Sequence, residues 1–267
     1  MRMYLSVFKL RLNNGLQYRA AALAGVATQF FWGFMIIMVY DAFYNQAAVN
    51  ASISLSQLVT YIWLQQAFLS FIMLWFRDNE LFQLITTGNI AYELCRPSGI
   101  YPFWYAKLLA QRLASAALRS LPILAVALFL PQPYRLSLPP DMATALLFVV
   151  TLLFGLLVLV AISMFIYISV FITMSPVGSL LLFAVLGEFF AGSIIPIPLM
   201  PGWMQTIVSW LPFHLAADLP FRVYSGHIPQ DGALAGIGIQ LIWLAILVTA
   251  GVFAMRKALR RVVVQGG

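Results

Sequence analysis

Lys107, Gln111, Ser115 and Arg119 recur every four residues. On a helix that spacing drifts only about 40° per step, so the four side chains share one polar face. Most of their neighbours are apolar, and such a face cannot point at lipid. Glu188 is the one acid in a second apolar stretch. Counted from an inner end near Phe103, Arg119 lies about 24 Å along its helix; counted from Pro176, Glu188 lies about 18 Å along its own. A lone charge at such depth costs at least about 2.5 to 3.5 kcal/mol, so each needs a partner or a water-filled cavity. The expectation is an Arg119 to Glu188 ion pair bordering a polar path. The alternative leaves Arg119 on backbone carbonyls or water and Glu188 solvated near the outer surface.

Other reactive side chains are few. One cysteine, Cys95, excludes an internal disulfide, and two histidines, His214 and His227, leave no metal cluster of ordinary spacing. His214, beside Pro212 and Phe213, reads as a hydrogen-bonding loop residue. No G-x-x-x-x-G-K-[ST] phosphate loop occurs, and no cluster of His, Asp or Ser marks a catalytic centre. The chain is expected to be no enzyme and to bind no cofactor or metal itself.

The elements that must position these residues are membrane spans. Of 267 residues, 63% are apolar and 9% charged, with a mean hydropathy of +0.93; a soluble domain carries about 25% charged residues. Each span needs about 20 apolar residues. Gaps between charges place spans at about 20–40, 57–76, 142–171, 177–195 and 234–255, and the third span lies between them at about 103–130 and tolerates Lys107, Arg112 and Arg119. Met174, Ser175, Pro176 and Gly178 supply the turn dividing the fourth from the fifth. The fold class is therefore all-α, with an amphipathic helix over residues 1–19, a six-span domain over 20–256 and a tail over 257–267. In the first segment Leu5, Phe8, Leu12 and Leu16 oppose Lys9, Arg11 and Asn13, the pattern of a helix lying in the membrane interface.

Net charge is +7, and its distribution follows membrane topology rather than any nucleic acid partner. Twelve of the Lys and Arg residues flank or enter the spans on one side: Arg2, Lys9, Arg11, Arg19, Arg77, Arg96, Lys107, Arg112, Arg256, Lys257, Arg260 and Arg261. Only Arg135 and Arg222 fall in segments of the other side. The positive side is the cytoplasmic one, so both termini are expected there.

The inner loop of about 77–102 should project a short helix. Asp78 or Asn79 can cap it, Glu80 suits its positive end, Leu81, Leu84 and Ile85 form an apolar stripe, and Gly88 ends it. Either the stripe lies on the membrane surface or it docks on a soluble partner. Beyond it, Pro97 biases Arg96 away from helix and leaves it free to reach a carboxylate or phosphate. On the other side, Pro196, Pro198 and Pro201 prevent a continuous helix, while Trp203, Ile207 and Trp210 share one face suited to the outer interface.

The run from Ile85 through Gly88, Ile90 and Leu94 to Arg96-Pro97 resembles the I-x-x-G-x-I-x-x-x-L-x-R-P pattern of bacterial ATP-binding-cassette export permeases, the type-2 permease superfamily. Tyr18-Arg19, Ala191-Gly192 with Pro196, and Leu211-Pro212-Phe213 with Pro220 look like the same family; Cys95 departs from its commonly aliphatic position. The resemblance implies a multi-pass subunit of the bacterial inner membrane working as a dimer, with a second copy or a distinct paired permease. It assigns Asn79, Glu80, Leu81, Leu84, Ile85, Gly88 and Arg96 to contact with separate soluble ATPase subunits, which would bind ATP-Mg. It makes Gly192, Pro196, Pro201, Trp203 and Pro212 part of an outer re-entrant pair of short helices. The competing reading is an ion-coupled secondary transporter, which would need more ionisable groups inside the spans than Arg119 and Glu188.

Overall fold

A computed structural model describes residues 2–46 and 52–260; the polar-loop residues 47–51 and the tail from 261 lie outside the described residues. The described secondary structure is helical throughout: α1 (Arg2–Gln17), α2 (Arg19–Gln46), α3 (Leu55–Ala67), α4 (Leu69–Ile72), α5 (Asn79–Thr86), α6 (Ile90–Leu94), α7 (Ile100–Phe129), α8 (Met142–Thr173), α9 (Pro176–Phe190), α10 (Gly202–Ser209), α11 (Asp218–Tyr224) and α12 (Gln230–Leu259), with two short 3-10 turns at Ile197–Leu199 and Phe213–Ala216. Four of these, α2, α7, α8 and α12, are long and apolar enough to cross a membrane. At 1.5 Å per residue the 30 residues of α7 extend about 45 Å.

Local chemistry sets the ends. Ser54 and Gln57 form a reciprocal capping box at the start of α3. Asp141 accepts from the Thr144 amide at 2.7 Å, and Ser175 caps α9 with Pro176 in its first turn. Met174, at φ 51°, closes α8 at the turn expected from the sequence. The most apolar helix, α8, is the central column: α12, α11, α9, α7 and α5 all pack on it. The core around it includes Trp63, Trp104, Leu159 and Phe221.

Three expectations change here. The second span, expected as one helix over 57–76, is broken at Phe68 (φ −106°, ψ 28°) and ends at Ile72. Arg112 of α7 explains why this is tolerated. Its fully buried guanidinium donates to the carbonyls of Ser70 (2.7 Å), Met73 (2.9 Å) and Phe76 (3.3 Å) and to Ser163 Oγ (3.0 Å). The backbone acceptors freed by the break thus find a charged donor from a neighbouring helix. The fifth helix is also short, 15 residues ending at Phe190, because Ala191 and Gly192 turn the chain before the prolines.

The first helix forms as expected, and it packs along α7. Tyr4 and Val7 join the core, whereas Leu5, assigned to the apolar face, is exposed. Gly15 allows the contact: a Cβ there would stand 2.6 Å from Ala114 Cβ. Amphipathic pattern fixes that one face is buried, not which neighbour covers it.

Candidate functional site

Gln29 on α2 is 3% exposed, yet neither atom of its side-chain amide has a hydrogen-bond partner. It faces a cavity of about 530 Å³. Arg119 on α7, Glu188 on α9, and Gln65 and Gln66 on α3 share its wall, and Trp32 and Trp75 line it too. Ser193 lines the same space with its hydroxyl unpartnered, and the Arg119 Nε is likewise buried without an acceptor. The cavity thus concentrates hydrogen-bonding capacity that the chain does not satisfy itself, which is the condition under which a site accepts water or a polar ligand.

Glycine admits the charge. A Cβ at Gly25 would lie 2.8 Å from Arg119 Cζ, so the guanidinium packs directly on the α2 backbone. Gly33 makes room for the Trp63 ring in the same way. Gly192, next to the lining residue Ser193, has φ +76°, a left-handed conformation that only glycine adopts freely. Its carbonyl accepts from Gln65 Nε2 at 3.1 Å and from Tyr61 Oη at 3.3 Å.

The expected polar face of α7 exists. Gln111, Ser115 and Arg119 line a second cavity of about 310 Å³, together with Arg11 and Asn14 of α1. Arg119 belongs to both cavities and divides them. The expected partner does not: the ion pairs among the described residues are Arg11 with Asp78 and Glu80, Lys107 with Glu80 and Glu93, Arg96 with Glu93, and Arg222 with Asp218. Arg119 and Glu188 therefore face one space without pairing. Depth along two helices says nothing of their rotation or of the width between them, and here both side chains line a cavity.

Lys107, at the far end of the same polar face, belongs to a chain of ion pairs at the end of the bundle carrying α1, α5 and α6. It lies 3.4 Å from Glu80 and 3.7 Å from Glu93, both through Nζ. Arg11 also holds Glu80, and Arg96 holds Glu93 at 3.4 Å. Trp104 Nε1 donates to Glu93 at 3.4 Å, and Arg96 and Lys107 each lie 5.0 Å from the centre of the Phe103 ring. The Glu80 carboxyl is held below its ordinary range: partial burial opposes this, but the Arg11 hydrogen bond and the Lys107 charge prevail.

The apolar stripe of α5 points inward. Leu81 and Ile85 are buried with Phe82, which packs on the Tyr167 ring of α8 at 4.7 Å; Leu84 is only partly buried. A partner was expected on this stripe, but the chain's own core takes it, because a buried apolar face is satisfied by any nearby core. What α5 and α6 present outward is Asn79, Glu80, Gln83, Thr86, Tyr92 and Leu94. Gly88, at φ +76°, ends α5, and Ile90 is buried.

At the opposite end, α10 exposes Trp203, Ile207 and Trp210 on one face and buries Val208 against Ile197 and Met200. Pro201 and Pro212 precede α10 and the following 3-10 turn, and Pro196 precedes the other. Sequence reading missed Asp218. It is 1% exposed, 3.1 Å from Arg222 Nη1 and 3.4 Å from Tyr61 Oη, and it pins α11 to α3. The signal was Asp218 and Arg222 four apart beside an apolar run. His214 contacts the Leu211 carbonyl at 2.7 Å, as a loop residue would. No three His, Cys, Asp or Glu side chains gather among the described residues. Compared with known proteins, the chain matches no family model, no curated protein and no solved structure.

Proposed function

We propose that the chain is the membrane-spanning permease subunit of an ATP-driven exporter of the type-2 ATP-binding-cassette class. In this reading it works as a dimer, with a second copy or a distinct permease, and separate soluble ATPase subunits bind ATP-Mg and drive a substrate out of the cytoplasm. The observation that carries it is the polar cavity walled by Arg119, Glu188 and three glutamines in a bundle of long apolar helices. An intramembrane ionisable group is by default a functional one. The motif residues Gly88, Ile90, Leu94, Arg96 and Pro97 add to it.

Six crossings belong to this proposal: the four long helices, α9, and α3 with α4 as one broken span. Both termini, α5 and α6 then lie in the cytoplasm. The outward face of α5 and α6, not the buried stripe, is the docking surface for the ATPase. Helix α7 supplies the connection, since Lys107 in the ion-pair chain and Arg119 in the cavity are 12 residues, or about 18 Å, apart on one rigid element. A push on α5 is passed through Glu80 to Lys107 and so to the cavity wall. The outer short helices around Gly192, Pro196 and Trp203 cap the exit.

The unpaired Glu188 favours one other reading, an ion-coupled transporter in which this carboxyl carries the proton. Affinity purification from the native membrane separates the two. The permease reading expects a soluble phosphate-loop ATPase to copurify; a chain that comes alone and transports on a proton gradient defeats it.

A further inference from the structure

The two charged side chains of the larger cavity, Arg119 and Glu188, are not neutralised by each other. A ligand of one sign would pair with one of them and be repelled by the other. A ligand with an acid and an ammonium group would satisfy both, and a neutral one would leave both charges desolvated and unpaired. The amide of Gln29, 3% exposed and with both polar atoms unpartnered, offers a donor and an acceptor at the same wall. Gln65, Gln66, Thr28 and Ser193 add further polar groups, while Trp32, Ile36, Leu69, Ile72, Met73 and Trp75 give an apolar part of the lining that suits a hydrocarbon or aromatic body. The volume of about 530 Å³ falls in the range of small-molecule sites.

We propose that this cavity binds a zwitterionic amphiphile, its acid group on Arg119, its ammonium group on Glu188, and its apolar body against the apolar part of the lining. That this ligand is the exported cargo rests on the permease reading above; that it binds does not. The shared chemistry occurs in a free apolar dipeptide and in a phosphatidylethanolamine headgroup.

The test is binding to the full-length chain in nanodiscs of phosphatidylglycerol, which has no ammonium group. The probes are radiolabelled leucyl-phenylalanine, its N-acetyl derivative, and phosphatidylethanolamine added to the disc as a competitor. Saturable binding of the dipeptide that phosphatidylethanolamine does not displace marks a free zwitterion as the ligand. Displacement, or direct retention of phosphatidylethanolamine through purification, marks the lipid. In either case acetylation of the ammonium group should weaken binding at least tenfold. Glu188→Gln should weaken the zwitterion tenfold while leaving the acetylated probe unchanged, and Arg119→Gln should weaken both. Equal affinity for zwitterionic and acetylated probes, an unaffected Glu188→Gln variant, or no binding of either zwitterion overturns the proposal. ATPase copurification with no zwitterion binding would remove this inference alone. Zwitterion binding by a chain that never associates with an ATPase would leave the site and remove the permease reading.

Discussion

Gln65 donates its side-chain amide to the carbonyl of Gly192, 3.1 Å away, and so ties the broken span at one wall of the cavity to the turn that ends the fifth helix. Tyr61, one helical turn earlier, reaches the same carbonyl and also Asp218. The outer short helices are thereby fastened to α3 by three polar contacts. Gly192→Ala should loosen that fastening. The left-handed backbone is strained for alanine, and its Cβ would stand 3.0 Å from Ile197 Cγ1 and 3.1 Å from Tyr61 Oη. A loss of about 1 to 3 kcal/mol is expected, read as a lowered unfolding midpoint in detergent.

Arg112→Met should destabilise the chain more than any surface change. It removes the donor to three backbone carbonyls and Ser163 while keeping the apolar stem. Unsatisfied buried acceptors cost about 1 to 3 kcal/mol each, and the loss should reach the order of 3 kcal/mol. Denaturation in mixed micelles measures it; a variant as stable as the parent would show that water replaces the guanidinium.

The two faces of α5 should separate under mutation. Leu81→Ala opens a cavity in the chain's own core and should cost about 2 to 5 kcal/mol of stability. Gln83→Arg together with Thr86→Arg alters only exposed positions and should leave the unfolding midpoint unchanged while reducing recovery of the ATPase. Loss of the ATPase from a fully stable Leu81→Ala protein would reverse that assignment.

Glu80 gives the ion-pair chain a pH dependence. Its pKa is lowered in the folded chain from the ordinary 4.5, despite partial burial, by Arg11 and Lys107. A lowered folded value means the carboxylate contributes stability that is complete above the ordinary value and lost as pH falls through the folded one. Thermal midpoints of the parent and Glu80→Gln should differ at pH 7 and converge as pH falls through the lowered folded value. A gap that stays constant with pH would assign the effect to packing.

Much of this was legible in the sequence, in proportion to how local the cause is. The turn at Met174 to Pro176 and the cap at Asp78 depend on neighbours in sequence and appear where expected. So does the polar face of Gln111, Ser115 and Arg119, since period alone fixes it. Side-chain partners across helices were not legible. Arg112 gave no sign that it would satisfy a broken span, and depth along the helices suggested a pair for Arg119 and Glu188 that is not among the ion pairs of the described residues. Gln29 and Glu93 went unnoticed because one is uncharged and the other sits in a loop motif; burial, which sequence does not state, makes both important.

The central claim is that this chain moves substrate only under a separate ATPase, and ATP turnover in reconstituted vesicles tests it most directly. The purified chain alone should hydrolyse no ATP. With the copurifying nucleotide-binding subunits added, turnover should appear, and Gln83→Arg with Thr86→Arg should abolish its coupling to transport. Turnover by the chain with no other protein present, or transport that proceeds on an ion gradient without ATP, would contradict the account.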